Sequence, residues 1–379
     1  MSSIFPTYAR FDVEIESATG MEVLDTSGKT YTDFTSGIGV CNLGHRHPYV
    51  QTQIELQLNK YWHTSNLYYN PIQESVAKTL TEKSAGDLVF FTNSGAEANE
   101  AAIKLARKAT GKEKVITFNQ SFHGRTFATM AATGQDKVRE GFGPMLKKFA
   151  YATYNDIESV KQLIDSDTAA IMFESIQGEG GVIPAHQKFI NELVELAKQN
   201  NILIIIDEIQ TGIGRTGRCF GYEHYGLEPD IITVAKGLGN GIPVGAMIAK
   251  EKYKKSFGPG SHGSTFGGNP IAMSAAEAVL EKVFDQTFLN EVEAKGDYLK
   301  KQLEKELKDI QIIKEIRGKG LMIGIECDQE VGKYVKELIN QGILTLSAGT
   351  HVLRLLPPLI VTYEEIDKVV ELIKQVLSE

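Results

Sequence analysis

The chain has 379 residues, of which 42% are hydrophobic and 23% are charged, and its formal net charge is −8. This length predicts more than one hydrophobic core, and the composition is that of a soluble globular protein. A net negative charge excludes the basic face that a nucleic-acid-binding protein needs. The three cysteines lie far apart, which indicates neither a disulfide framework nor a zinc site.

The N-terminus carries no basic region followed by an apolar core, as a secretion signal would. No stretch approaches the run of about 18 apolar residues that spans a membrane. We therefore expect a soluble, cytoplasmic protein that does not interact with membranes.

Short strand-like pieces make up the N-terminal region. Residues 21–25 and 30–34 flank a Thr-Ser-Gly turn, which predicts a hairpin. A glycine-dotted loop follows and ends in His45 and His47 before a proline. Two histidines at this spacing are either metal ligands or a loop pair satisfied by hydrogen bonds, and we favour the second interpretation, with no metal site.

From about residue 70, helices alternate with short apolar strands. Continuous apolar runs between helices predict a mainly parallel sheet covered on both faces, with ligands at the carboxyl ends of its strands. The predicted strands are 88–92, 114–118, 169–173, 202–206, 230–234 and 244–249, and the predicted helices are 72–83, 96–109 and 187–199.

The pattern changes after Pro270 and predicts a separate α+β unit. The predicted helices there are 272–284, 288–307, 330–340 and 364–377, and the predicted strands are 321–325, 343–346 and 352–356.

The first motif, at residues 92–100, follows a strand and opens a helix. Ser94 and Glu97 have the spacing of a capping box. Gly95 and Ala96 are small enough for their backbone N–H groups to approach an anion, which a helix N-terminus favours. Both a phosphate site and an ordinary helix cap are compatible with this pattern.

The second motif places Phe122, His123 and Arg125 together after the next strand. An aromatic ring can stack on a planar ligand, and an arginine can bind a carboxylate through two hydrogen bonds. A core phenylalanine beside a surface arginine is the alternative.

The third motif is Asp207, directly after the aliphatic run 202–206. A carboxylate in that position is costly unless it has a cationic partner, so Asp207 is a candidate for holding a positively charged group. A strand-end cap is the alternative. The GxGxxG pattern at 212–217 lacks the strand and helix of a dinucleotide site, which argues against a nicotinamide enzyme.

Lys236 closes the next strand and precedes three glycines. Desolvation there would lower the pKa of the amine from about 10.4 and favour the neutral nucleophile that forms Schiff bases with carbonyls. A surface lysine is the alternative. The loop at 261–270 is rich in hydroxyl groups and glycine and is either a second phosphate donor or a flexible loop.

These motifs occur at successive strand ends, and their combination indicates one cofactor. Pyridoxal phosphate requires a lysine, a carboxylate for its ring nitrogen, a stacking ring and a phosphate site.

On these residues the chain resembles the class III, ornithine-type, pyridoxal-phosphate-dependent aminotransferases, and within them the acetylornithine branch. The resemblance covers nearly the whole chain and rests on the motifs at 93–99, 122–126, 174–181, 207–212 and 235–238. Ser175 stands where the family usually has proline. The resemblance implies an α/β, fold-type I architecture: a large domain at 46–268 with a mainly parallel seven-stranded sheet, and a small α+β domain formed by 1–45 and 269–379.

The resemblance also implies roles at the cofactor. Lys236 would bind it covalently and transfer a proton, and Asp207 would pair with the ring nitrogen. Thr265 would reach the phosphate bound by the other subunit, which requires a homodimer with active sites at the interface. The other residues implied to bind the cofactor are Ser94, Gly95, Ala96, Phe122, Glu208, Ile209 and Gln210.

Four residues are implied to bind the substrates: Arg125, Glu179, Ser264 and Arg354. With Glu179 and Arg354 paired, the site would accept an ω-amine donor, and with them apart both arginines would hold 2-oxoglutarate. The implied reaction is transfer of the terminal amine of acetylornithine to 2-oxoglutarate. Ornithine, succinylornithine and 4-aminobutyrate remain alternative donors, a semialdehyde mutase shares the fold, and a noncatalytic cofactor-binding protein is the alternative from another class.

Overall fold

The structure is a computed structural model, and it describes residues 3–378. The strands, numbered in chain order, are β1 Ile15–Thr19, β2 Glu22–Asp25, β3 Thr30–Asp33, β4 Leu88–Thr92, β5 Lys114–Phe118, β6 Phe149–Ala152, β7 Thr168–Glu174, β8 Ile176–Gln177, β9 Ile183–Pro184, β10 Leu203–Asp207, β11 Ile231–Val234, β12 Gly245–Ala249, β13 Ile313–Lys319, β14 Met322–Cys327, β15 Ile343–Leu344, β16 Leu346–Ala348 and β17 Val352–Leu355. The α-helices are α1 Ser36–Gly39, α2 Pro48–Leu58, α3 Pro71–Glu82, α4 Gly95–Thr110, α5 Phe127–Ala132, α6 Asp136–Arg139, α7 Ile157–Leu163, α8 Gln187–Asn200, α9 Pro270–Val283, α10 Gln286–Glu306, α11 Gly332–Asn340 and α12 Tyr363–Ser378.

The main sheet has seven strands in the order β4-β12-β11-β10-β7-β5-β6. Only β12 runs antiparallel, to both of its neighbours, so the prediction of a mainly parallel sheet is confirmed. Every residue of β7, β11 and β12 is buried, as expected for strands covered on both faces. Because the parallel strands end at one edge, Asp207 on β10 lies opposite Thr233 on β11, three residues before Lys236.

Helix α4 begins at the predicted cap after β4. The Ser94 side chain accepts a hydrogen bond from the Glu97 N–H at 3.2 Å. The Glu97 carboxylate accepts from the N–H of Asn93 at 2.7 Å, one residue earlier than in a regular capping box. The helix ends at Gly111, whose φ of 68° is the left-handed conformation that favours glycine at a helix C-terminus. The cap thereby directs the first turn of α4 toward the carboxyl edge of the main sheet.

Three smaller sheets lie outside the main one in the described part of the chain, and the smallest pairs β8 with β9. The C-terminal sheet has the order β13-β14-β17-β16, and β17 carries Arg354 paired with Gly324. The N-terminal sheet has the order β1-β2-β3-β15, so the predicted hairpin is confirmed and a C-terminal strand extends it. The N-terminal segment therefore joins the C-terminal part of the chain, while the exact domain limits at 45 and 268 stay a prediction.

Several elements lacked a usable sequence pattern. Helix α2 begins at Pro48 with little apolar periodicity, and β13 reads Ile-Lys-Glu-Ile-Arg-Gly-Lys, which is too charged to predict a strand. The predicted strand 343–346 is two short strands, β15 and β16. Within residues 3–378, no helix has the length and apolar character needed to cross a membrane.

A glycine in the middle of α10 marks a close approach between that helix and the turn after β13. A Cβ at Gly296 would lie 2.4 Å from the carbonyl carbon and oxygen of Gly320. We expect Gly296→Ala to lower the free energy of unfolding by about 1–3 kcal/mol because the backbone must shift, although alanine normally favours a helix interior by about 1 kcal/mol. Chemical denaturation measures the difference.

Gly332, at the start of α11, provides the matched control. A Cβ there meets nothing within 4 Å. We expect Gly332→Ala to be neutral or to stabilise the protein by up to about 1 kcal/mol. Equal effects of the two substitutions would contradict the packing explanation.

Candidate active site

A cavity of about 450 Å³ opens at the carboxyl edge of the main sheet. This volume lies within the usual range for small-molecule sites. Its walls come from the ends of β4, β5, β7, β10 and β11 and from the loops that follow them. The residues lining it are Val40, Asn93, Ser94, Gly95, Ala96, Phe122, His123, Gly124, Arg125, Glu174, Glu179, Asp207, Ile209, Gln210, Ala235, Lys236, Gly241, Ile242, Pro243 and Val244.

Lys236 lies at the base of this cavity. Its φ of 40° is in the left-handed region, where a residue with a side chain is strained, and such strain is common at functional sites. Its Nζ atom has no hydrogen-bond partner among residues 3–378. Burial lowers the pKa of the amine, while the charge of Glu179 opposes that shift. The predicted lowering of the pKa is confirmed, and it favours the neutral nucleophile.

The Asp207 carboxylate lines the cavity and is held by three hydrogen bonds. Oδ2 accepts hydrogen bonds from Asn99 Nδ2 at 2.8 Å and from His123 Nδ1 at 2.7 Å. Oδ1 accepts from the Ile209 N–H at 3.0 Å. Asn99 Oδ1 accepts in turn from the Thr233 hydroxyl at 2.7 Å, which fixes the orientation of the amide. The cost of burying this carboxylate is thereby offset, and its position is defined.

Burial alone lowers the pKa of His123, but its hydrogen bond to Asp207 and the charges of Asp207 and Glu174 together outweigh burial, so the net shift is upward. His123 Nε2 is buried without a partner in the described part of the chain. His123 was noted in the sequence only as part of a loop, and Asn99 only as part of a motif. A buried polar side chain one helical turn after the Ser94 cap was the available signal for Asn99.

Gly95 and Ala96 line the cavity where the sequence predicts an anion site. As the first residues of α4, their N–H groups have no intrahelical acceptor. A Cβ at Gly95 would lie 2.6 Å from Ile209 Cδ1, so glycine permits the close packing of this turn on the loop after β10. Ser94 lines the cavity, but its hydroxyl is occupied by the helix cap.

Glu179, which lines the cavity, forms an ion pair with the buried Arg354 behind the cavity lining, with 2.6 Å between Oε1 and Nη1. The same Nη1 donates to Gly178 O and to Gln210 Oε1, both at 3.2 Å. Burial raises the pKa of Glu179, but the charge and hydrogen bond of Arg354, together with Lys236 and Gln210, outweigh it and the net shift is downward. The carboxylate is therefore ionised and the predicted switch is in its paired state.

Phe122 and Arg125 both line the cavity, at its open side. The Arg125 guanidinium carbon lies 5.7 Å from the centroid of the Phe122 ring, a cation–π contact, and the arginine is exposed. Ser264 reaches the cavity only indirectly, since its hydroxyl accepts a hydrogen bond from Asn93 Nδ2 at 3.1 Å.

Two residues implied to bind the cofactor lie away from this cavity. The Glu208 carboxylate accepts from the N–H groups of Gly221 and Tyr222 at 2.7 and 2.8 Å, and burial raises its pKa to about 7. It holds the loop at 221–225 against β10. Thr265 is exposed on a separate surface depression beside Asn66.

Glu174 is a cavity residue to which the sequence assigned no role. Its carboxylate accepts from the N–H groups of Gly178 at 3.1 Å and Phe122 at 3.3 Å. Burial raises its pKa to about 7. These two bonds fix the backbone next to Glu179 and the turn that presents Phe122.

The donor set fits pyridoxal phosphate. An unbonded amine lies on Lys236, a fixed carboxylate on Asp207, and free N–H groups at the start of α4 suit an anion. Phe122 supplies an aromatic wall. Lys236 would hold the aldehyde end, Asp207 the ring nitrogen, and Gly95 and Ala96 the phosphate.

Comparison with known proteins gives one family. The family model "Aminotransferase class-III" matches residues 5–377. Curated relatives include the acetylornithine aminotransferases of Bacillus subtilis, 58% identical over all of this chain and 98% of that protein, and of Bacillus cereus, 57% identical over 99% and 97%. Solved structures include the ornithine aminotransferase of Toxoplasma gondii, 32% identical with a TM-score of 0.95 over 99% of this chain and 92% of that one.

The N-acetylornithine aminotransferase of Stenotrophomonas maltophilia is a further solved relative. It is 34% identical, with a TM-score of 0.86, and the match covers 98% of this chain and 97% of that one. Structures of both kinds of aminotransferase therefore share this fold.

The N-terminal segment, which provides Val40 to the cavity wall, contains an ion pair between His45 and Asp33. His45 Nε2 lies 2.9 Å from Asp33 Oδ2. That hydrogen bond raises the pKa of His45 to about 10. His47 has no such partner, and burial lowers its pKa. The prediction of a hydrogen-bonded histidine pair is confirmed for His45 and wrong for His47, whose Nδ1 is buried without a hydrogen-bond partner among the described residues. The described residues contain no cluster of potential metal ligands.

The two histidines predict opposite pH dependences of stability. A raised pKa means that the folded state retains the proton, so the stabilisation by His45 is complete below pH 6.5 and is lost as the pH rises toward 10. We expect the difference in unfolding free energy between the wild type and His45→Gln to be largest below pH 6.5 and to shrink above it. Urea denaturation at a series of pH values measures this difference.

His47→Gln is the control of opposite sign. Because the pKa of His47 is lowered, protonation favours the unfolded state, so this substitution should gain stability relative to the wild type as the pH falls below 6.5. A difference that does not vary with pH for His45→Gln would contradict the ion pair.

Proposed function

This chain belongs to the class-III aminotransferases, and we propose that it transfers the terminal amine of N2-acetylornithine to 2-oxoglutarate, giving N-acetylglutamate 5-semialdehyde and glutamate. Its cofactor is pyridoxal phosphate. The ion pair between Glu179 and Arg354 beside Lys236 carries the proposal, because it provides two states for two different substrates. The names of the curated relatives, 51–58% identical over the full chain, support the choice of donor.

The bound cofactor supplies an electron sink that stabilises negative charge at the carbon losing its proton. Asn99 and His123 both donate to Asp207, and these hydrogen bonds fix the carboxylate that would pair with the ring nitrogen. Lys236 would hold the cofactor and move the proton of the substrate carbon, and the lowered pKa of its amine suits both taking up and returning that proton.

Glu179 and Arg354 select between the substrates. In the paired state Arg354 is neutralised, so the inner end of the cavity accepts an uncharged methylene chain ending in an amine, while the exposed Arg125 binds the donor's carboxylate. When Glu179 turns away, Arg354 keeps the carbonyl of Gly178 and the amide of Gln210 as acceptors. Its charge is then available to one carboxylate of 2-oxoglutarate, with Arg125 binding the other.

We also propose a homodimer. Thr265 is exposed and separated from the cavity of its own chain, as expected of a residue that completes the phosphate site of a partner. Large apolar side chains are exposed nearby, including Trp62, Leu67 and Tyr69, which an interface would bury. A cytoplasmic location and the domain limits at 45 and 268 are part of the same proposal.

The role of Lys236 is tested by substitution. We expect Lys236→Ala to lose turnover by a factor of at least about 10⁴, since both the covalent attachment and the proton transfer are removed. Borohydride should no longer attach the cofactor to the protein, as mass spectrometry would show. Continued turnover together with covalent trapping would exclude this assignment.

The donor is tested by a panel of amines with 2-oxoglutarate as acceptor. We expect the specificity constant for acetylornithine to exceed those for ornithine, succinylornithine and 4-aminobutyrate, by at least about tenfold over ornithine. A highest value for ornithine would assign the chain to the function named for the Toxoplasma gondii structure. No turnover with any donor, in protein that carries the cofactor, would favour a noncatalytic cofactor-binding protein.

A further inference from the structure

Arg215 lies in the Gly212–Gly217 loop, whose glycine pattern has no dinucleotide to bind. Its side chain is fully buried. The loop follows β10, which ends at Asp207, and comes shortly after Gln210. It therefore belongs to the carboxyl edge of the main sheet. A buried guanidinium is costly unless its donors are satisfied, and its acceptors therefore indicate its role.

The Arg215 guanidinium binds oxygens from two other parts of the chain. Nη1 donates to the carbonyl of Leu321 at 3.0 Å and to the carbonyl of Pro357. Nη2 donates to Asn42 Oδ1 at 2.7 Å and to the Ser36 hydroxyl at 3.4 Å. The first two acceptors flank strands of the C-terminal sheet, and the other two belong to the N-terminal segment.

No carboxylate among residues 3–378 accepts a hydrogen bond from Arg215. Burial lowers its pKa to about 9, which still leaves the side chain charged at neutral pH. Two terminal nitrogens at a fixed angle reach four oxygens, whereas an ammonium group could not span them. The side chain thus joins the loop after β10 to the C-terminal sheet and to the N-terminal segment. Neutral oxygens, rather than a carboxylate, surround its charge.

The connection bears on the distance between the two substrate arginines. Arg125 and Glu179 lie on loops of the main sheet, whereas Arg354 lies on β17, three residues before Pro357. The N-terminal segment reinforces this junction, since the Leu356 N–H donates to Phe34 O at 2.7 Å. Displacement of the C-terminal sheet by about 1 Å would therefore change the Arg125–Arg354 spacing, and such misplacements cost about 10²-fold in an active site.

We propose that Arg215 is a positioning residue for the acceptor: it sets the spacing of Arg125 and Arg354 and thereby the binding of the dicarboxylic keto acid. The inference rests on the proposed function. A dicarboxylate needs both arginines at once, while the amine donor needs Arg125 alone with Arg354 neutralised by Glu179. Loss of Arg215 should therefore weaken acceptor binding more than donor binding.

Two substitutions in the cofactor-loaded enzyme test this inference. Arg215→Met keeps an extended side chain and removes its charge and its hydrogen-bond donors. Arg215→Lys keeps the charge and loses the two terminal nitrogens at a fixed angle. We expect the KM for 2-oxoglutarate to rise about tenfold in Arg215→Met and about threefold in Arg215→Lys, with the donor KM within about twofold of wild type in both. The donor is whichever amine the wild type uses best.

Arg218→Met is the matched control from the same loop. Arg218 is partly exposed, and its only partner among the described side chains is Glu293 at 3.4 Å. We expect both KM values to stay at the wild-type level in this variant. Arg215→Lys retains the cation and carries the test if Arg215→Met does not fold.

Calorimetric binding of glutarate, a five-carbon dicarboxylate without a keto group, gives a readout independent of turnover. We expect its Kd to rise in the same ratio as the KM for 2-oxoglutarate. A lower Tm with unchanged glutarate affinity and unchanged KM values would overturn the inference and leave Arg215 a purely structural residue. An equal rise of both KM values would also overturn it. If the wild type uses no donor, the proposed function fails, and the glutarate measurement still decides whether Arg215 positions a dicarboxylate site.

Discussion

The architecture depends on the burial of the Asp207 carboxylate at the end of an aliphatic strand. That charge is stable only because Asn99 and His123, from two other strand-end segments, donate to it. The carboxylate lines the cavity together with Lys236, so its charge acts on the amine and on a ligand bound there. The parallel register of β10 and β11 then places Lys236 close to Asp207.

The sequence was most informative where a single strand determines both which residues are buried and where the residue at its end lies. Apolar runs ending in Asp207 or Lys236 revealed the strands and the residues at their ends, because parallel strands bring their carboxyl ends together. The network of Asn99 and His123 depends on contacts between residues 84 or more positions apart in the chain, which periodicity does not encode. The charged strand β13 was not predicted for the same reason, because its pairing with β14 rather than its composition makes it a strand.

The placement of Glu208 shows the limit of motif-based assignment. It is adjacent to Asp207, but strand alternation directs its side chain to the opposite face, where it binds the N–H groups of Gly221 and Tyr222. Adjacent carboxylates thus have separate tasks, one facing the cavity and one holding a loop. Thr265 differs for another reason: it is exposed in one chain, and the role proposed for it depends on the proposed homodimer.

The two substrate arginines sit in different dielectric environments, and this difference explains how one cavity can serve two substrates. Arg125 is exposed, so water stabilises its charge whether or not a carboxylate is bound. Arg354 is 2% exposed and needs an anion at all times, which Glu179 provides. An incoming carboxylate therefore exchanges with Glu179 instead of adding to a vacant cation, and Glu179, with 31% of its side chain exposed, can move toward water. We propose that selectivity arises from the exchange of one anion for another at a buried cation, while the exposed arginine binds either substrate.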